Sequence, residues 1–195
     1  DHRREEVAMT GVMDLIRKMR SPETKLVLEA VAEMRARGWL EDGSLRGVLL
    51  CHAHLEGADL YKAHLHDVDL HQAHLTGADL SLADLTGAKL SRAGLRGANL
   101  SQANLAGADL FKADLTDVRN LTEEQLASAR RLCFATMPDS TPYDGRFNLP
   151  GDIDLARWGK VDPQDPAAMA YFLGISLETY LRGQGKLELL PELPA

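Results

Sequence analysis

Six histidines, His52, His54, His64, His66, His71 and His74, crowd into one short stretch beside Cys51. Imidazole nitrogens and thiolates are ligands that zinc and copper take readily. The first chemistry this chain offers is therefore metal binding, with His54, His74, Cys51 and His71 as candidate ligands and His52 beside them. The plainer account makes them outward-facing polar side chains in permissive positions. A second set is acidic: Asp59, Asp69, Asp79, Asp84, Asp109 and Asp114 each stand directly before a leucine. The sequence contains no glycine-rich phosphate loop, no CxxC pair and no nucleophile–base constellation, so neither catalysis nor a cofactor is expected.

What must position these side chains is a repeat. Fifteen leucines occupy every fifth position from Leu45 to Leu115, and two residues before each next leucine sits alanine, or valine at Val48, Val68 and Val118. On an α-helix five residues advance about 140° beyond a full turn, so such leucines would spiral without forming a stripe. On a flat strand an odd period sends successive leucines to opposite faces. If the chain turns a corner within each pentapeptide, every leucine and every small residue points inward, which is a solenoid. Glycine recurs two residues after alternate leucines, at Gly47, Gly57, Gly77, Gly87, Gly97 and Gly107, with Asp67 breaking the series. This suggests corners whose backbone other residues resist.

The runs AHLEGADLYKAHL and ADLTGAKLSRAGLRGANLSQANLAGADLFKADL resemble the A(D/N)LXX signature of pentapeptide-repeat proteins over roughly residues 46–120. The resemblance implies a right-handed, four-sided β-helix with four pentapeptides per coil. The segment then makes about four coils and a rod about 18 Å tall at the spacing of stacked strands. With twenty residues per coil, His54 stacks on His74, Cys51 on His71, and Asp59 on Asp79. No acid or nucleophile is then placed to work with a histidine ladder. In this family the aspartates usually bond backbone amides at the turns. Some members are long acidic rods that resemble B-DNA and act on DNA gyrase. Here Lys89, Arg92, Arg96 and Arg119 interrupt the acidic columns.

Around the solenoid the chain reads as helical. Residues 5–19 form an amphipathic pattern through Val7, Val12, Leu15, Ile16 and Met19. A second helix is expected with Ser21 as N-cap, Pro22 in its first position, an apolar face of Leu26, Leu28, Ala30, Val31 and Met34, and Gly38 as its stop. Trp39 and Leu40 then fold over the open end of the solenoid. After Asn120 the register breaks, and Thr122 with Gln125 forms a capping box that opens a helix over 123–131. MPDSTPYDGRFNLPG is turn-rich and covers that end with short extended pieces, and VDPQDP leads to helical AAMAYFLG and SLETYLRG. The last ten residues look frayed. The division expected is a helical cap over 1–45, the β-helix over 46–120, a helix-and-turn cap over 121–150 and a helical tail over 151–195.

The net charge of this 195-residue chain is −7, and the repeat segment 46–120 is near neutral, with nine acids against seven bases. No broad basic footprint exists, so direct nucleic-acid binding is not expected. AMAYFLGISLETYL has a helix-turn-helix outline, but its second half offers Arg182 as its single base, and packing of its apolar residues explains it better. Two distant cysteines suit a reducing compartment. The expected function is a non-catalytic protein-interaction scaffold or spacer, with Tyr61, Leu82 and Phe111 as exposed contact residues on the coils. MDLIRKMRSPETKLVLEAVAEMRARGWLEDGSLRG resembles the linker of bacterial pentapeptide proteins whose membrane helices precede the repeats. That implies a cytoplasmic domain held at the inner face of a membrane by a tether upstream of Asp1, where Arg3 and Arg4 suit the positive-inside preference. A regulator of DNA gyrase that mimics DNA and a metal-binding protein are the alternatives. The partner's identity stays open, as does dimerisation.

Overall fold

Each pentapeptide closes one tight turn. The amide of Ala53 donates to the carbonyl of Leu50 at 3.1 Å, and His52, the third residue of that turn, has φ +59°. A positive φ there is the type II pattern. The computed structural model describes residues 11–190, and the same turn recurs along the whole repeat segment. One residue per pentapeptide remains to pair with its neighbours. It does so as a single parallel bridge twenty residues away: His54 with His74, Asp59 with Asp79, Asp84 with Asn104. The pairing is β in register but consists of isolated bridges, because the turn consumes most of each side before a strand can extend.

The backbone amides account completely for the signature. In the pentapeptide around Leu80, the amides of Leu80 and Leu82 donate to the carbonyls of Asn99 and Ser101 in the next layer, at 2.9 and 2.8 Å. Asp84 donates back to Ala63 at 3.0 Å, and Ala83 closes the turn onto Leu80 at 3.0 Å. The remaining amide, of Ser81, has no backbone acceptor and is taken by Oδ1 of Asp79 at 3.0 Å. An acceptor side chain before leucine is thus what satisfies the fifth donor. The fifteen leucines at every fifth position from Leu45 to Leu115 are at most 1% exposed, and their alanines are buried with them.

The corners differ from expectation. His52, Lys62, Asp67, Gln72, Leu82, Arg92, Gln102, Lys112 and Asp117 adopt the same left-handed conformation as the glycines at that position. Glycine therefore does not mark a different corner. Burial of leucine and alanine on either side and, at each of these corners except Gln102, the interlayer bond from the residue's amide hold a conformation that an ordinary side chain alone disfavours.

Before the repeats, helix α1 covers 11–18 and α2 runs Thr24–Ala36. The expected start of the first helix at residue 5, including Val7, lies outside the described residues. Helix α2 begins later than Ser21 predicts. Ser21 accepts the amide of Glu23 in a local turn at 3.1 Å, and extended Glu23 is the N-cap. Its inward face is Val27, Ala30, Val31 and Met34, while Leu26 is exposed and Leu28 only partly buried. At its end Gly38 has φ +74°, with its amide on Arg35 and that of Trp39 on Met34, which is a Schellman stop. Leu15, Ile16, Met19, the α2 face and Leu40 share one core with the repeat leucines. The carbonyl of Leu40 accepts the amide of His64 at 2.7 Å, as a preceding layer would.

At the other end Thr122 and Gln125 make both bonds of the capping box, and α3 spans Glu123–Ser128, three residues shorter than predicted. The side-chain amide of Gln125 also donates to the carbonyls of Leu100 and Ala103, both at 2.8 Å. The ladder does not stop at Asn120. After α3 the chain re-enters it with an offset of twenty-two residues, pairing Asp109 with Arg131 and Asp114 with Thr136. Leu132, Ala135 and Met137 are buried, and Phe134 takes the left-handed corner at φ +63°. The stretch LCFATM is a degenerate repeat, with ATM in place of ADL. Thr136 then pairs antiparallel with Pro142, a short extended piece within the stretch read as turn-rich.

Helix α4, Pro150–Trp158, opens the tail expected to be helical over 151–195, one residue before that boundary and inside the end of the stretch read as turn. Its signal is Pro150 at the first helical position followed by Asp152. Buried Asp152 accepts the amides of Leu132 and Cys133 through Oδ1, at 3.0 and 2.8 Å, which ties α4 to the re-entrant segment. Helices α5 (Pro166–Leu173) and α6 (Leu177–Gly183) follow, separated by left-handed Gly174 and capped by Asp165 and Ser176. A short 3-10 turn covers Leu187–Leu189 within the ten residues read as frayed, and residues 191–195 lie outside the described residues. Cys133, Ala156, Met169, Ala170, Leu173 and Tyr180 form a second core.

Candidate functional site

The histidine positions fall on different parts of the repeat. His54 and His74 occupy the bridge position, one layer apart, with rings stacked at 4.7 Å between centroids and 21° between planes. Glu56, just after Leu55, completes the cluster. Its Oε1 lies 3.3 Å from Nδ1 of His54 and 3.6 Å from Nδ1 of His74. Among the described residues, this is the group of three whose donor atoms approach closely enough to share an ion. Cys51 and His71, expected as ligands, do not join it. They follow leucines at the start of a turn, and burial followed by a hydrogen bond to Asp69 pushes the Cys51 thiol upward. His71 meets His52 edge-on at 6.2 Å, and His66 pairs separately with Asp84 at 3.1 Å. Sequence reasoning missed Glu56. The available signal was its place two residues beyond His54, the distance over which the aspartates reach across a leucine.

The aspartates act on the backbone. Oδ1 of Asp59, Asp69, Asp79, Asp84, Asp109 and Asp114 each accepts the amide two residues on, at 3.0–3.2 Å. Asn99 and Asn104 do the same. Burial alone would raise the Asp79 carboxyl, but bonds from Ser81 and Asn99 hold it below the usual range. One column of the ladder runs Leu49, Asp69, Lys89, Asp109, Arg131, so acid and base alternate along it. Lys89 lies 3.6 Å from Asp69, and Arg131 Nε is 3.0 Å from Asp109.

Of the expected contact residues, Tyr61 is 37% and Leu82 40% exposed. They share one edge of adjacent layers, where Lys62, next to Tyr61, bonds the carbonyl of Ser81, next to Leu82. Phe111 is not a free contact residue. Phe134 packs against it edge-on at 5.7 Å and meets Phe172 of α5 in turn, because the re-entrant segment lies over it. The sequence reading also passed over Trp158 and Tyr171, 85% and 88% exposed on α4 and α5. They fall off the helix faces that bury Ala156 and Ala170.

A family model described as pentapeptide repeats matches residues 44–81 and 78–117, in eight copies. Together with the bridges at twenty-residue spacing, this defines the class: residues 44–117 belong to the pentapeptide-repeat family. Three solved structures are similar. A pentapeptide repeat protein from the cyanobacterium Cyanothece 51142 is 44% identical over 36% of this chain and 48% of its own, with a TM-score of 0.36. One from the Arabidopsis thaliana thylakoid lumen is 28% identical over 59% of this chain and 79% of its own, with a TM-score of 0.31. HetL of Nostoc sp. strain PCC 7120, a pentapeptide repeat protein involved in heterocyst differentiation regulation, is 28% identical over 50% of this chain and 62% of its own, with a TM-score of 0.22. The chain thus spans about half the length of the first of these, 48%. Comparison with curated proteins finds no match.

Proposed function

We propose that this chain is a non-catalytic protein-interaction scaffold or spacer. In this reading a right-handed, four-sided β-helix of about four coils is held between helical caps built from α1–α2 and from α3 onward. The observation that carries it is the backbone accounting around Leu80. With every amide of the pentapeptide bonded and the leucine buried, three of five side chains face outward on a stiff lattice repeating every twenty residues. Such a lattice presents side chains at fixed spacing with little ordering cost on binding. Tyr61 and Leu82 on one edge, and Trp158 and Tyr171 on the terminal helices, are the apolar side chains it offers. The interrupted column of Asp69, Lys89, Asp109 and Arg131 favours a protein partner over mimicry of a uniformly acidic duplex.

The tether is the second part of the proposal. It rests on the likeness of residues 13–47 to the linker of membrane-anchored relatives, and would put the domain at the cytoplasmic face. No helix among the described residues is long and apolar enough to cross a membrane, so an anchor would lie elsewhere. Both parts are tested by immobilising the chain and passing native lysate with solubilised membranes over it. The controls are a Tyr61→Ser, Leu82→Ser variant and a Trp158→Ser, Tyr171→Ser variant. A partner that binds saturably and is lost from one variant supports the scaffold, and a partner from the membrane fraction supports the tether. Equal retention by all three proteins counts against these surfaces.

A further inference from the structure

We propose that His54, Glu56 and His74 form a binding site for one zinc-class divalent cation on the face of the repeat ladder. Two imidazoles and one carboxylate are a donor set that zinc accepts with a fourth position left for an outside ligand. The dimensions fit. A tetrahedral ion about 2.0–2.1 Å from each donor sets its donors about 3.3–3.4 Å apart, and Oε1 of Glu56 is already 3.3 and 3.6 Å from the two Nδ1 atoms. The last edge, between one ring nitrogen of each histidine, is no more than 4.8 Å. It closes by rotation of His74, whose side chain is 54% exposed.

The site is held by backbone. His54 and His74 form a parallel bridge, flanked by bonds from Leu55 to His74 at 2.8 Å and from His74 to Ala53 at 2.9 Å. Ligands fixed on such elements need little reorganisation to bind. An independent observation points to the ion: Oε2 of Glu56 is buried and has no hydrogen-bond partner. A simple ion pair does not explain this, since both imidazoles face Oε1 and leave Oε2 starved. A buried carboxylate oxygen without a donor is costly, and a cation taken by the carboxylate through both oxygens supplies what Oε2 lacks. Beyond His74 the column continues with Gly94, where a methyl group would meet nothing within 4 Å. The adjoining cleft of about 300 Å³, with Arg92 on its wall, leaves room for water or a donor from another molecule.

The test uses the full chain stripped of metal, titrated with Zn²⁺ against a chromophoric chelator and with Co²⁺ in the visible region. One ion per chain at micromolar affinity or tighter is expected. Glu56→Gln and His74→Ala should each weaken it at least about 100-fold, the upper end of what loss of an outer-shell partner costs. Cys51→Ser and His66→Ala should leave it unchanged. Unchanged affinity in Glu56→Gln, or loss in Cys51→Ser, overturns the assignment. Should a variant fail to fold, imidazole ¹⁵N spectra of the wild type decide. Zinc should shift the ring nitrogens of two histidines, and no shift overturns the proposal.

Discussion

The guanidinium of Arg35 in α2 donates to the backbone carbonyl of Tyr61 at 2.7 Å. It also reaches the carbonyl of Asp59 at 3.1 Å and the Asp59 carboxylate at 2.8 Å. In the next two layers these two carbonyl positions accept amides from the layer before: Asp79 and Ser81 from Leu60 and Lys62, Asn99 and Ser101 from Leu80 and Leu82. Arg35 therefore stands in for a missing layer, and Arg20 does the same for the carbonyl of Leu49 at 2.7 Å.

Arg35→Ala should accordingly destabilise the protein by about 1–3 kcal/mol, the cost of leaving acceptors unpaired. Arg17→Ala, which removes an exposed ion pair with Asp14, should cost under about 1 kcal/mol. Urea unfolding midpoints of the two variants check this, and equal midpoints would show that water replaces Arg35 without loss.

The carboxylates before leucine serve as acceptors, so charge there is secondary. Asp79→Asn should change stability by under about 0.5 kcal/mol, because Asn keeps the Oδ1 acceptor as Asn99 and Asn104 already do. Asp79→Ala strands the amide of Ser81 and should cost about 1–2 kcal/mol. Thermal melts at neutral pH separate these outcomes.

Non-glycine corners carry conformational strain that the fold overrides. Gln102→Gly, at φ +55°, should raise stability by up to about 1 kcal/mol, whereas Gly97→Gln, at φ +66°, should lower it by a similar amount. Paired denaturant titrations test whether the two changes have opposite sign.

The half-buried carboxyl of Asp109 and the buried one of Asp152 should give opposite pH dependences. Burial would raise Asp109, but Arg131 and the amide of Phe111 hold it below its ordinary 3.8. Its contribution is present above 3.8 and is lost as pH falls through the lowered value. Asp109→Asn should therefore reduce stability at neutral pH and flatten the acid limb. Asp152 is raised above 3.8, chiefly by burial, against the bonds from Cys133 and Leu132. Its contribution is full below 3.8 and is lost as pH rises through the raised value, so Asp152→Asn should gain on the wild type toward neutral pH. Unfolding free energies measured from acid to neutral pH would show the two variants diverging in opposite senses.

The pentapeptide period was legible because it is local and repeated. One leucine, one small residue and one acceptor per five residues are enough to define the turn, the inward pair and the fifth hydrogen bond. The capping box at Thr122 and the stop at Gly38 were legible for the same reason. LCFATM was passed over because one degenerate copy after an interruption has no period to reveal it.

The sequence by itself thus determined which side chains point inward, which follows from the five-residue period. That the acids serve the backbone and that His54 stands over His74 followed only with the twenty-residue coil that the resemblance to pentapeptide-repeat proteins implies. Tertiary structure alone decided that Arg35 and Gln125 complete the edges, that α3 shifts the register by two residues, that Phe111 is covered, and that Glu56 joins the histidines while Cys51 stays out of their cluster. Those are contacts of side chains across layers and between ends. They depend on rotamers and on which backbone groups remain unpaired once the stack has formed, and no local spacing encodes them.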